Sequence, residues 1–176
     1  MDVMEKVEKK DFLGKDFLVW LWFKSEVSHG VIEIEDESHA EVRFAGKITL
    51  ESEDDVKSES ITCSGINSRL KEARYALTEN KKITQASIKL ILGDDEYSFS
   101  MDSLWMNYRS FKTPKVLQDD KGDPEGLFYE KVGLMEKAVS TMDSLFLSFI
   151  KIRLSPEWEE KELPAVTAWM KRWKIG

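Results

Sequence analysis

One cysteine, Cys63, in a chain of 176 residues rules out an internal disulfide and points to a reducing, cytoplasmic compartment. Histidine is almost as scarce. His29 and His39 are the only two, and neither sits in a catalytic motif. Nucleophilic catalysis by Ser or Cys needs such a base, and a structural zinc site needs clustered Cys and His, so neither chemistry is expected. The nine glycines are scattered, with no G-x-G-x-x-G and no G-x-x-x-x-G-K-[ST] to cradle a phosphate. Long apolar runs are missing too. Phe17 to Phe23, seven residues, is the longest uncharged one, against roughly 20 needed to cross a bilayer. Met1 to Lys10 mixes both charges and lacks the apolar stretch of a secretory signal; it reads as a frayed N-terminus. The expectation is a non-membrane protein without cofactor or metal, in which enzymatic readings have little support.

What is present reads as one globular domain over residues 1–176. The chain is 41% hydrophobic and 34% charged, with six Trp and nine Phe to build a core. The net charge of −7 is segregated. Residues 66–82 carry a local +3 from Arg69, Lys71, Arg74, Lys81 and Lys82 against Glu72 and Glu79. Residues 104–115 carry another +3 from Arg109, Lys112 and Lys115, which leaves −13 for the remainder.

Periodicity predicts an α+β fold with a mainly antiparallel sheet built from hairpins. The sheet packs against an N-terminal buried helix, a middle helix and two C-terminal helices. Asp11 to Lys24 is apolar on most sides, as a buried helix would be. Val31–Glu35, Glu41–Phe44, Ile48–Leu50 and Ile61–Cys63 read as short strands, and Glu51 to Ser60 as an acidic, solvated loop. A helix is expected from an N-cap at Asn67, with Ile66, Leu70, Ala73 and Leu77 at helical spacing. Thr84–Leu92 and Tyr97–Met101 form the clearest hairpin, with 84, 86, 88, 90 and 92 on one face. Leu104 to Phe111 is a further extended segment, and Gln118 to Gly122 a polar loop. Asp123-Pro124 starts a long helix to about Leu154. Its expected core stripe is Phe128, Val132, Met135, Val139, Met142, Phe146, Phe149 and Ile150. Ser155-Pro156-Glu157 restarts a last helix.

The candidate binding stretch is residues 104–115, where Trp105, Tyr108 and Phe111 interleave with Arg109, Lys112 and Lys115. Aromatic faces that stack bases, beside cations that hold phosphates, are what single-strand binders use. The alternative is a strand with its aromatics in the core and its cations in water. The cations of residues 66–82 would extend that positive face. Trp158, Trp169 and Trp173 form a candidate partner interface in the last helix, with packing inside the monomer as the alternative. Asp94, Asp95 and Glu96 are explained by turn chemistry more simply than by a metal.

Phe12 to Glu26 resembles the opening segment of the C-terminal module of bacterial RdgC-like, recombination-associated proteins. Asn67–Ala73, Lys112–Lys115 and Leu154–Trp158 agree with that module, so the resemblance covers about Asp11 to Trp173, without the family's N-terminal part. It implies a non-enzymatic, DNA-associated role in recombination or mobile-element biology. The partners it implies are DNA, a second copy of the chain, or another recombination protein. The rival expectation is an acidic protein-interaction or homodimerisation domain with no nucleic-acid contact. A metal-dependent nuclease comes third.

Overall fold

The computed structural model describes residues 11–34, 39–52, 59–65, 70–116 and 122–172, with side chains from Leu13 onward. It is α+β, as the periodicity predicts. Helix α1 spans Asp11–Val27, and strand β1 (Val31–Glu33) follows a turn in which His29 and Gly30 both take positive φ. The two strands expected at 41–44 and 48–50 are one long strand, β2 (His39–Ser52). Gly46, at φ +100°, lets the chain absorb an irregularity at that point instead of ending the strand. Strand β3 (Ser60–Gly65), helix α2 (Lys71–Thr78), β4 (Lys81–Leu92), β5 (Asp95–Asp102) and β6 (Tyr108–Lys112) complete the sheet region. The cap expected at Asn67 and most of the acidic loop lie outside the described residues.

The sheet is antiparallel throughout, in the order β1-β2-β4-β5-β6, with β3 lying end to end with β1 along the same edge of β2. Its core face carries Val42, Phe44, Ile48 and Leu50 from β2, Ile83, Ala86, Ile88 and Leu90 from β4, and Tyr97, Phe99 and Met101 from β5. The expected β4 face is half right. Thr49 pairs with Gln85 but Leu50 with Ile83, so Thr84 is an extra residue that reverses the alternation below it. Its carbonyl is taken up by the Ser103 N–H at 2.9 Å.

Helix α1 is buried on nearly all sides because it lies between two layers. Trp22 stacks on Phe44 of the sheet at 5.7 Å. On its other side, Phe17 and Trp20 meet Phe149 at 5.6 and 5.5 Å, and Trp22 meets Trp169 at 5.6 Å. These last two rings come from helix α3 (Pro124–Arg153) and helix α4 (Leu163–Lys171), joined through a π-helical turn at Trp158–Glu162. A helix sandwiched this way has little room for a polar face, which is why its sequence is apolar from Phe17 to Phe23 and polar only toward its ends. Two carboxylates clasp the outer layer to it. Glu162 accepts from the Trp20 indole N–H and from Lys24, and Glu26 accepts from the Trp169 indole N–H and from Arg74.

Trp158 and Trp169 are therefore core residues, 5% and 4% exposed, and not a partner interface. Trp158 packs edge-on against Phe149, with the Arg153 guanidinium 4.8 Å from its ring centre. Trp173 lies outside the described residues. The stripe expected on α3 is corrected as well. The helix buries Ala138, Met142, Leu145 and Phe149, while Phe128 and Met135 face solvent.

The start of α3 is set as the sequence predicts. Asp123 Oδ1 accepts from the Gly126 N–H at 2.9 Å, and Pro124 occupies the first turn, where a missing N–H costs nothing. Asp123→Ala is expected to lower stability by about 1 kcal/mol. That is a drop in Tm of about 2–4 °C for a chain of this size, read by thermal circular dichroism.

Candidate nucleic-acid interface

Among the described residues, all helices pack on one side of the sheet and the other face is open. Alternation along the strands assigns that face its residues, and register lines them up into rows. Arg43 pairs with Lys89, Lys89 with Ser98, and Ser98 with Lys112, so one row crosses β2, β4, β5 and β6 with three cations and a hydroxyl. Adjacent strands are about 4.8 Å apart, which makes the row about 14 Å long. In the next row Ser87 pairs with Ser100, their hydroxyl oxygens 3.1 Å apart, and Ser100 pairs with Arg109. Neither row contains a carboxylate. Between them lies a shallow depression of about 240 Å³, floored by Ala45, Gly46 and the serines and rimmed by Lys89 and Lys112.

Strand β6 explains how residues 104–115 divide. Arg109 and Lys112 are three apart, and so are Tyr108 and Phe111; on a regular strand each pair would straddle the sheet. The ladder between β5 and β6 is irregular at this point, and Ser110 takes φ +52°. The extra residue brings both cations to the open face. Both aromatics turn inward, where Phe111 stacks on Phe99 at 5.2 Å and Tyr108 meets Phe99 edge-on at 5.1 Å. Burial, and secondarily the nearby Asp143 carboxylate, pushes the Tyr108 hydroxyl well above its usual ionisation range, so it stays neutral. Trp105 is the one ring of the stretch left in solvent, 74% exposed, on the β5–β6 connection whose backbone N–H is held by Asp102.

Among the described residues, Arg109, Lys112 and Lys47 have no ion pair, whereas Arg43 and Lys89 are paired at the surface with Glu41 and Glu96 at the hairpin end of the sheet. Lys115 follows β6 and is exposed. The second positive segment is built differently. Arg74 is ion-paired with Glu26 and lies 5.7 Å over the Trp22 ring, Lys81 is 7% exposed and 2.9 Å from Glu59, and Lys82 is 3.7 Å from Asp16. These three cations are each engaged with a carboxylate and do not extend the positive face. Lys71 is exposed on α2, which packs on the covered side of the sheet; Arg69 lies outside the described residues.

Arg43, Lys47, Lys89 and the four serines escape a search for basic clusters because they are scattered over three strands and a bulge. The signal that finds them is the hairpin's alternation, once the core face is known. At the hairpin tip Asp95 is held by Lys137 at 2.7 Å and Glu96 by Lys89 at 2.8 Å. No group of three or more His, Cys, Asp or Glu is placed to share a metal among the described residues. None of the described helices is long and apolar enough to cross a membrane. No family model and no curated protein matches this sequence.

Proposed function

We propose that this chain is a non-catalytic nucleic-acid-binding module that holds a sugar–phosphate backbone across the open face of its sheet. The observation that carries this reading is the pair of carboxylate-free rows, in which Arg43, Lys89, Arg109 and Lys112 surround a floor of serine hydroxyls. Cations supply the attraction to phosphate, hydroxyls donate to its oxygens, and the small floor lets a backbone approach the sheet. An accessory role in DNA recombination accords with the resemblance to RdgC-like proteins. The net charge of −7 repels a polyanion at long range, so binding depends on this one patch and is weak.

Fluorescence anisotropy of labelled single- and double-stranded oligonucleotides, titrated at several salt concentrations, tests the reading. About three phosphate contacts give a log–log salt slope of about −2 on single strands and about −3 on duplex. Absence of binding at low salt would remove the nucleic-acid reading altogether.

A further inference from the structure

Helix α3 is 30 residues long, about 45 Å, and its amino-terminal half presents an apolar stripe to solvent. Phe128 is 62% exposed and Met135 41%, and Val132, Met135 and Val139 line a groove of about 430 Å³ with Glu136 and Asp143 at its side. The spacing 128, 132, 135, 139 alternates four and three residues, the heptad seam of paired helices, and continues into Met142, Phe146 and Phe149. That carboxyl-terminal continuation is already covered. Phe146 meets Phe17 at 5.1 Å, and Phe149 lies against Phe17, Trp20 and Trp158. One seam thus has a half filled by the chain's own α1 and a half with no occupant among the described residues.

We propose that the free half is filled by the same half of α3 from a second copy, packed antiparallel about a two-fold axis that passes between residues 133 and 134. The covered half dictates the direction. A second α3 running parallel would meet α1 alongside Phe146, whereas an antiparallel one overlaps only the free halves and carries its own body away. Self-complementarity dictates the partner. The two-fold sets Phe128 against Val139 of the second copy and Val132 against Met135, a large side chain against a branched small one in every layer. Charges agree with the same register. Lys131 comes level with Glu136 of the second copy and Glu130 with its Lys137, so no like charges are level. The overlap is short and sits near the lower limit for a specific interface, about 1,000 Å², so the dimer is a weak one.

Sedimentation velocity from micromolar to the highest soluble concentration is expected to show a monomer–dimer equilibrium. Val132→Glu and Met135→Glu each weaken it by about 30-fold or more. Their circular dichroism stays that of the parent, because neither side chain belongs to the covered core. Orientation is read by cysteine pairing, which the buried Cys63 does not disturb. A mixture of Val132→Cys and Met135→Cys chains oxidises to the mixed disulfide if the helices are antiparallel. A monomer at every concentration overturns the proposal, and so does a dimer that both glutamate variants leave intact or that yields only like-with-like disulfides.

Discussion

Replacing Lys89, Arg109 and Lys112 together with glutamine is expected to reduce oligonucleotide affinity at low salt on the order of 100-fold, and to flatten its salt dependence. Each lost phosphate contact lowers the slope by about 1, and three exhaust most of what the patch supplies. The loss is expected on every sequence, because phosphate contacts position a nucleic acid without reading it. Folding is spared. Arg109 and Lys112 are exposed and have no ion pair among the described residues, and Lys89 gives up only a surface contact to Glu96. Lys71→Gln is the matched control, since Lys71 is as exposed but stands on the packed side of the sheet. If Lys71→Gln lowers affinity as much as the triple variant, the open face is not the binding surface. Glutamine at Lys81 or Arg74 would instead be felt as lost stability. Both cations are nearly buried, and removing Arg74 leaves the half-buried Glu26 carboxylate without its cation, whereas the Glu59 partner of Lys81 is exposed and stays solvated.

The second large effect concerns Gly14. A Cβ built there would stand 1.8 Å from the backbone carbonyl oxygen of Ser103, so helix α1 touches the β5–β6 connection with nothing between them. Neither side yields easily. Ser103 is buried and its N–H is bonded to Thr84, while Gly14 begins the turn of α1 that runs into Phe17 and Leu18, both fully buried. Gly14→Ala is therefore expected to cost about 3 kcal/mol despite the better helix propensity of alanine. For this size of chain that is a drop in Tm of about 6–12 °C. Gly133→Ala, in the exposed half of α3, should have the opposite sign. Its Cβ meets nothing within 4 Å, and the gain is about 0.5–1 kcal/mol from the reduced freedom of the unfolded chain. Urea denaturation of both variants decides it. Equal and small effects would mean that the contact at Ser103 relaxes freely. The Gly14 contact also bears on binding, because the connection it supports leads directly into β6, which carries Arg109 and Lys112.

Local features of the chain are legible where local physics governs them. The apolar run of α1 announces a helix with no solvent face, Asp123-Pro124 announces the start of α3, and the 84–101 stretch announces a hairpin. Arg109 and Lys112 are found by composition alone. Arg74, Lys81 and Lys82 belong to a basic cluster in sequence but not on the surface, because a cation's availability depends on its neighbours. Arg74 finds Glu26 across 48 residues and Lys81 finds Glu59 across 22. No window along the chain contains those pairs.

The sequence by itself determined the α+β class, the order of helices and strands after α1, and the presence of a basic, aromatic-rich stretch near the end of the sheet. Each of these follows from side-chain period, capping and turn chemistry, which act over a few residues. Tertiary structure alone decided three further things. Bulges at Thr84 and Ser110 set which residues of β4 and β6 share a face, because one extra residue reverses alternation for the whole strand beyond it. Packing of α1 between two layers turned Trp158 and Trp169 into core and left Phe128 and Met135 outside it, since a stripe is buried only where another element reaches it. Strand register then gathered Arg43, Lys89, Arg109 and Lys112 from three separate strands onto one open face.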